Sequence, residues 1–269
     1  MVSSDFATKF LKLAKSDKNI VSFIFLLRQK RFMWRLKMDS GNIGFVLLCA
    51  AFVFVMTPGL AMFYGGLVRK KNVVNTMMTS IFIIGVGIVM WVLFGYSLSF
   101  APSGNAFIGD FRWLGLEGVS LTEGYTDDAS IPNMVFSAFQ MMFAVITPAL
   151  ITGAVAGRMK FKSIFVFTIF WSLIVYYPLA HMVWGQGGLL GADGIGALDF
   201  AGGDVVHISS GVSALVLCIL LGKRHDYEHS IYRIHNIPTV VLGASLLMFG
   251  WFGFNAGSAL AADGLAAHA

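Results

Sequence analysis

Two titratable side chains stand at the opening of one apolar segment. Asp199 lies in a glycine-rich link, and His207 follows about two turns into the next segment, which runs on to Arg224. A carboxylate and an imidazole are costly in hydrocarbon, and by default they mark a pathway or a binding site. An imidazole is also the usual group for moving a proton near neutral pH. The pattern therefore favours ion or proton chemistry at the mouth of a membrane span.

Each of these two residues also has a plainer interpretation. Asp199 could be only a helix cap, accepting backbone N–H bonds at the positive end of the helix dipole. Its functional interpretation adds a carboxylate below an external vestibule, where it would favour a cation. His207 could be a hydrogen-bonded core residue rather than a pore residue. The sequence leaves both questions open.

Aromatic side chains form the third group that could do chemistry. They are Phe139 and Phe143, four residues apart on one helix face, Trp184 at the end of the next segment, and Trp251, Phe252 and Phe254 in the last. Taken singly, each is explained by bundle packing or by an interface belt. Taken together near an external mouth, such faces could hold a small cation by cation–π attraction, about 0.5–2 kcal/mol each.

The composition is that of an integral membrane protein. Apolar residues make up 57% of the chain, charged residues only 12%, and the mean hydropathy is +0.76. A soluble domain carries about a quarter charged residues. Cys49 and Cys218 lie inside apolar runs, which predicts neither a disulfide framework nor a metal site. No nucleotide fingerprint, phosphate loop or cluster of metal ligands occurs, so we expect no cofactor and no enzymatic activity.

The net charge of +5 resides in the N-terminal segment. Residues 1–37 hold nine of the 19 lysines and arginines, which leaves ten basic and twelve acidic residues from Met38 onward. The body of the protein therefore gives no reason to expect a nucleic-acid partner. The apolar core of the segment, Ile20–Leu27, is too short to span a bilayer and lacks the order of a secretory signal. A basic interfacial helix is one interpretation; we favour a basic extension that is not translated, with the start at Met38.

Six apolar stretches are long enough to cross a bilayer, and they predict an all-α integral membrane protein. They lie at 43–66, 73–100, 132–156, 163–184, 205–221 and 237–260. Small residues are frequent within them. Gly153 and Gly157 have the GxxxG spacing that allows close approach of two helices, and we interpret this spacing as structural.

The basic residues are distributed unequally between the loops at the two ends of the spans. The loops after the first, third and fifth spans hold nine of them, whereas the opposite loops hold Arg112 alone. By the positive-inside rule, the odd-numbered spans end in the cytoplasm and the N-terminus of the first span lies outside. The basic residues 1–37 would then lie on the wrong side, which is the main reason for placing the start at Met38.

The residues from Asp199 to Arg224 resemble a signature of the ammonium transporter (Amt/Mep/Rh) family. The signature is DFAGGDVVHISSGVSALVLCILLGKR, and the supporting stretches are PGLAMFYGGLVRKKNVVNTM at 58–77, AHMVWGQGG at 180–188 and GWFGFNAGSA at 250–259. Together they cover nearly all of a domain at 38–269. The resemblance implies the N-terminal part of an eleven-helix subunit with an inverted repeat, assembled as a homotrimer in the plasma membrane with one pore per subunit.

The resemblance also implies roles for individual residues. Phe143, Trp184 and Ser258 would form an external site that recruits ammonium, with Asp199 as the structural carboxylate beside it. Phe143 and Phe254 would be the stacked rings that close the pore entrance.

His207 would be the first of two pore histidines. A bare ammonium ion pays a large desolvation penalty in a narrow apolar pore, whereas neutral ammonia pays little. The expected mechanism is therefore capture of NH4+, deprotonation, and passage of ammonia along a histidine-lined path. Potassium cannot give up a proton and would be rejected. A nitrogen-regulatory PII-type protein at the cytoplasmic face is a further implied partner.

This sequence departs from the family in two places. It stops at Ala269, before the helix that carries the second histidine, and such sites lie at the interface of two repeats. His235 and His268 do not substitute for that histidine, so we expect a fragment that does not conduct by itself. The other departure is Asp204, where a neutral residue is expected; we expect this acid to face water rather than to strengthen cation attraction.

Other functions stay open at this point. One is an ammonium sensor on the same scaffold, although such proteins usually append a signalling domain. Another is a non-conducting truncated half of a transporter. A third is a generic inverted-repeat cation transporter, which acidic residues buried in several spans would favour; the spans here contain none.

Overall fold

Long apolar helices make up the bundle. A computed structural model describes residues 38–102, 105–192, 194–224, 227 and 231–269. In that part of the chain, six helices are long and apolar enough to span a membrane, and a short helix follows them. They are α1 Ser40–Leu67, α2 Lys70–Phe100, α3 Asn133–Val155, α4 Phe161–Trp184, α5 Gly203–Leu221, α6 Ile237–Ala259 and the short α7 Gly264–His268. The predicted all-α membrane architecture is thereby confirmed; the extension at 1–37 lies outside the described residues.

Polar side chains set the starts of two of these helices. The first backbone N–H groups of a helix have no partner within it, and a side-chain oxygen just before the helix supplies one. Asp39 accepts from the backbone N–H of Asn42 at 2.7 Å, so α1 begins at Ser40, three residues before the predicted boundary. Asn236 accepts from the backbone N–H of Thr239 at 3.0 Å and starts α6 in the same way.

Glycines bring α1 and α6 into direct backbone contact. A Cβ atom at Gly243 would lie 2.3 Å from the backbone nitrogen of Phe63 and 2.6 Å from the carbonyl oxygen of Gly59. At Gly250 it would lie 2.6 Å from the carbonyl oxygen of Phe52. Because lipid offers no hydrophobic drive for helices to associate, close van der Waals packing of this kind has to hold them together. These contacts fix α6, which carries three of the aromatic candidates, along α1.

The GxxxG spacing at the end of α3 has a different outcome from the one predicted. Gly153 does allow close approach, because a Cβ atom there would lie 2.5 Å from a ring carbon of Tyr64 on α1. Gly157 lies beyond the end of α3 at Val155 and adopts φ +71°, in the left-handed region that favours glycine. The prediction that both glycines form a helix-packing motif is therefore wrong, because α3 ends before Gly157.

The links between helices collect at two ends of the bundle. Residues from the links after α1, α3 and α5 line one shared cavity at one end, which we call the basic end. The links after α2 and α4 meet the C-terminal end of α6 at the other end, which we call the acidic end. The six helices therefore alternate in direction, as the predicted topology requires.

Burial is uneven across the bundle. α3 has the largest share of buried positions among the six spans, and it packs against α1, α2 and α5. α5 and α6 have the smallest share, with much of their apolar surface exposed in the described part of the chain. The helices that carry His207 and Trp251 are thus the ones with an uncovered face.

Candidate functional site

A cavity at the acidic end brings together four of the predicted site residues. Its volume is about 260 Å³. Its lining residues are Tyr125, Phe136, Gln140, Phe143, Trp184, Asp199, Phe200, Ser258 and Leu260. The helices α3, α4 and α6 and the two links at this end all contribute to it. We call this space the outer cavity.

Asp199 holds the start of α5 with both oxygens of its carboxylate. Oδ1 accepts N–H bonds from Gly202 at 2.5 Å and Gly203 at 2.8 Å. Oδ2 accepts from Asp204 at 2.7 Å and Val205 at 3.0 Å. Gly202 adopts φ +98°, and α5 opens with a π-helical turn, which together aim four N–H groups at one carboxylate. This geometry supports the helix-cap interpretation, because backbone donors occupy both oxygens and balance the negative charge.

Asp199 also determines where Trp184 lies. The indole Nε1–H of Trp184 donates to the backbone oxygen of Asp199 at 2.9 Å. The indole meets the ring of Phe143 edge-on, with the centroids 6.0 Å apart and the planes at 88°. A Trp side chain held at its polar end in this way has one orientation at the cavity wall. The aromatic wall and the start of α5 are therefore built on the same residue.

Two polar oxygens of the outer cavity could accept a hydrogen bond from a ligand. The hydroxyl of Ser258 donates to the carbonyl oxygen of Phe254 at 2.9 Å, which leaves its own lone pairs for a donor. The Oε1 atom of Gln140 is buried and has no hydrogen-bond partner among the described residues. A buried acceptor without a partner costs free energy, so a ligand with N–H groups would be favoured here.

Sequence reasoning missed Gln140, although a signal was present. It is an amide in the middle of the apolar helix α3, three residues before Phe143, and polar residues at membrane depth are functional candidates by default. Tyr125 was missed for another reason. It lies in the long link after α2. The sequence of this link has no helical or strand periodicity from which the buried residues could be predicted.

Tyr125 contributes a neutral wall to the outer cavity. Its ring stacks on Phe136 with the centroids 4.8 Å apart and the planes at 4°. Its hydroxyl accepts the backbone N–H of Gln186 at 3.0 Å. Burial raises the pKa of Tyr125 to about 12, so the phenol stays protonated at physiological pH.

Below the outer cavity, Phe143 and Phe254 form the predicted ring pair. The rings are stacked with the centroids 4.3 Å apart and the planes at 29°, and both residues are buried. Phe139 packs edge-on against Phe143 at 5.0 Å, which supports the pair from α3. Phe143 lines the outer cavity and Phe254 adjoins the next group, His207, so the pair lies between the two.

His207 lies against the far side of this ring pair. Its imidazole is 5.9 Å from the ring of Phe254 and stacks on Trp251 at 5.6 Å, with the planes at 23°. The residue is exposed, and its ring nitrogens have no hydrogen bond within the described part of the chain. No hydrogen bond within the described residues supports the interpretation as a hydrogen-bonded core histidine, which stays untested. His207 also lies about one turn into α5 rather than two, because α5 begins at Gly203.

Asp204 takes no part in the outer cavity. Its backbone N–H belongs to the cap made by Asp199, and its side chain is outside the set of lining residues. The groups brought together are thus an aromatic wall, two acceptor oxygens, a stacked ring pair and an imidazole, in that order.

Comparisons with known proteins identify the family to which the chain is similar. The model of the Ammonium Transporter Family matches residues 44–269. The chain is 53% identical over 232 residues to the protein named "Ammonium transporter" of Bacillus subtilis, covering 86% of this chain and 56% of that relative. The chain therefore spans about half the length of the relatives that it matches. These relatives are named as transporters and not as enzymes.

Solved structures have the same fold over the same portion. The crystal structure of Saccharomyces cerevisiae Mep2 matches with a TM-score of 0.75 and 37% identity, covering 85% of this chain and 51% of that chain. A structure described as "Sensor Amt Protein" matches with a TM-score of 0.73 and 28% identity, covering 84% of this chain and 56% of that chain.

Proposed function

The chain belongs to the ammonium transporter family, and on this basis we propose that its bundle forms about half of a pore that moves ammonium or ammonia across a membrane. The observation that carries the proposal is one unbroken line of rings. Trp184 meets Phe143, Phe143 stacks on Phe254, and Phe254 adjoins His207. Such a line leads from a cavity suited to a cation towards an imidazole, past two stacked and buried rings.

The outer cavity is the proposed capture site for NH4+. The faces of Trp184 and Phe143 attract the cation by cation–π contact, about 0.5–2 kcal/mol each. Ser258 and Gln140 offer acceptor oxygens to its N–H groups, and the buried Oε1 of Gln140 gains the partner that it lacks. Asp199 acts by positioning, because its carboxylate is already bound to four backbone N–H groups.

The stacked rings are the proposed selectivity step. A cation that passes Phe143 and Phe254 must shed its water in an apolar surrounding, which costs several kcal/mol or more. Ammonium escapes this cost by giving its proton to a water molecule in the outer cavity; neutral ammonia then passes the rings, and the proton crosses separately by way of the imidazole path. Potassium has no proton to leave, so the same rings exclude it.

His207 is proposed to line the path beyond the rings. Stacking on Trp251 fixes one face of the imidazole, while its ring nitrogens are available to exchange hydrogen bonds with ammonia or to carry a proton. Its exposed side belongs to the uncovered face of α5 and α6. In a chain of full family length, further helices would cover this face and enclose the path.

The remaining parts of the proposal concern the whole assembly. They are a homotrimer in the plasma membrane, an external N-terminus of α1, and a PII-type regulatory protein at the cytoplasmic face. The nine basic residues in the links and adjoining helix ends at the basic end support this orientation by the positive-inside rule. The exposed apolar side chains of the outer helices support contact with lipid or with neighbouring subunits.

The transport proposal is tested with a fusion protein. Residues 38–269 are joined to the remaining part of the Bacillus subtilis relative, and the fusion and the 269-residue chain are each reconstituted in proteoliposomes. We expect an ammonium pulse, but not a potassium pulse, to produce transport through the fusion and none through the 269-residue chain. A folded fusion that moves neither ammonium nor methylammonium would contradict the proposal.

A sensor is the second candidate, because one of the similar solved structures is described as "Sensor Amt Protein". A sensor predicts that ammonium binds to the outer cavity of the fusion and stabilises it, without net transport. Transport in the same preparation decides between the two functions.

A further inference from the structure

A second cavity lies at the basic end of the bundle. It has a volume of about 350 Å³ and is lined by Arg69, Lys71, Gly157, Arg158, Leu221, Lys223 and Arg224. Five of these side chains are cationic, and in the described part of the chain no acidic side chain is among the lining residues. Asp226 and Glu228, in the link after α5, lie outside the described residues. Like charges this close together repel one another, so the cavity favours an anion.

Arg158 is locked in place, and its Nε–H group has no partner among the described residues. Its Nη1 donates to the carbonyl oxygen of Gly222 at 2.9 Å, and its Nη2 to the carbonyl oxygen of Ala154 at 2.5 Å. These bonds join the end of α3 to the end of α5. The Nε atom of Arg158 is buried and has no hydrogen-bond partner among the described residues. The anchored guanidinium therefore keeps an N–H group that has no acceptor within the described residues.

Arg224 makes a cation–π contact with Tyr232. Its guanidinium carbon lies 5.0 Å from the ring centroid of Tyr232, and that of Arg69 lies 5.3 Å from the same centroid. Gly157 gives Arg224 room, because a Cβ atom there would lie 3.1 Å from its Nη1. That Nη1 is buried and has no hydrogen-bond partner within the described residues. The planar guanidinium carries several N–H donors in a fixed geometry that matches the oxygens of a phosphate.

We propose that this cavity binds a phosphate group, either as the headgroup of an anionic phospholipid or as free phosphate. Phosphate oxygens would accept hydrogen bonds from Arg158 and Arg224, each of which has a donor atom without a partner among the described residues. A neighbouring cavity of about 410 Å³ shares Arg224 and is otherwise lined by tyrosines and small or apolar residues, Leu67 among them. Because a charged pocket here adjoins a less polar one at the ends of membrane helices, the lipid headgroup is the favoured source. The proposal does not depend on ammonium transport.

The test uses the purified 269-residue chain and four probes. Native mass spectrometry and thermal unfolding are recorded with phosphatidylglycerol, phosphatidylcholine, glycerol 1-phosphate and inorganic phosphate. The variants are Arg224→Gln, Arg224→Lys and the control Lys162→Gln, which removes an exposed positive charge at the same end but outside the cavity. We expect Arg224→Gln to weaken binding of phosphatidylglycerol at least about tenfold, Arg224→Lys to weaken it less, and Lys162→Gln to leave it nearly unchanged.

The possible results distinguish a lipid headgroup from free phosphate, and two of them would overturn the proposed phosphate site. Binding of phosphatidylglycerol alone, with the expected dependence on Arg224, assigns a lipid headgroup. Binding of inorganic phosphate with the same dependence assigns free phosphate. Equal weakening in Arg224→Gln and Lys162→Gln means general charge attraction and overturns the proposal. So does a folded wild-type chain that binds none of the anionic probes. If Arg224→Gln does not fold, Arg224→Lys, which keeps the positive charge, still tests whether the guanidinium is needed for binding.

Discussion

The indole N–H of Trp184 donates to the backbone oxygen of Asp199, the same residue whose carboxylate holds the first turn of α5. One residue thus fixes both the aromatic wall of the outer cavity and the start of the helix that carries His207. Because the carboxylate is bound to backbone donors, Asp199 influences a cation mainly by placing other groups. Changes at Asp199 should therefore affect stability and capture together.

Replacing Asp199 by Asn tests this structural role. The amide keeps one acceptor oxygen but points its NH2 group at backbone N–H groups that need an acceptor. We expect the free energy of unfolding to fall by about 1–3 kcal/mol, measured by thermal unfolding in detergent. The control is Asp204→Asn, which removes the same charge next to the cap and should leave stability nearly unchanged. Equal losses in the two variants would mean that the carboxylate of Asp199 is not a cap.

Replacing Gly243 by Ala tests the contact between α1 and α6. The new methyl group would lie 2.3 Å from a backbone nitrogen of Phe63, and backbone cannot give way cheaply. We expect a loss of about 1–3 kcal/mol or more in unfolding free energy. Gly211→Ala on α5 is the matched control, because nothing lies within 4 Å of its Cβ position. It should be neutral or stabilising by up to about 1 kcal/mol; a loss as large as that of Gly243→Ala would refute the contact.

Replacing Gln140 by Leu separates a ligand contact from a structural role. The substitution removes a buried oxygen that has no described partner, so the chain should be as stable as wild type or more stable. Ammonium, however, loses an acceptor, and its affinity for the fusion protein should fall about tenfold. Isothermal titration and thermal unfolding on one preparation give both values. Unchanged affinity, or lower stability with unchanged affinity, would remove Gln140 from the capture site.

Two substitutions at Trp184 divide its two roles. Trp184→Phe keeps an aromatic face and loses the hydrogen bond to Asp199, whereas Trp184→Leu loses both. We expect Trp184→Leu to lower ammonium affinity about two- to thirtyfold, the value of one cation–π contact. Trp184→Phe should lower the ammonium affinity less than Trp184→Leu does, whereas the two variants should lower the thermal stability by comparable amounts. Equal affinities in the two variants would show that the ring face does not hold the cation.

The sequence predicted what depends on local composition. The six spans follow from apolar length, and the alternation of basic and acidic links follows the chain from span to span. The residues of the outer cavity were predicted in part from the family resemblance, which named Phe143, Trp184, Asp199 and Ser258 but not Gln140. What the sequence did not show depends on backbone geometry or on packing between distant segments.

Three particular residues illustrate that limit. The four-fold cap on Asp199 requires Gly202 in the left-handed region, which spacing alone does not reveal. Gly157 had the spacing of a helix-packing glycine, but α3 ends before it, and it serves instead as space for Arg224. The basic cavity is formed by three links that are far apart in sequence. Counting the charges in each loop placed these residues at the same end of the bundle but did not show that they line one cavity.

The most direct test of the account is the ammonium current of the His207→Ala fusion protein. Proteoliposomes with the wild-type fusion, His207→Ala and the control His235→Ala are compared for currents after ammonium and potassium pulses. His235 lies in the link at the basic end, away from the rings, so its loss should leave transport unchanged. The account predicts that His207→Ala abolishes the ammonium current or its selectivity over potassium. A folded His207→Ala protein with full, ammonium-selective current would contradict the histidine-lined path.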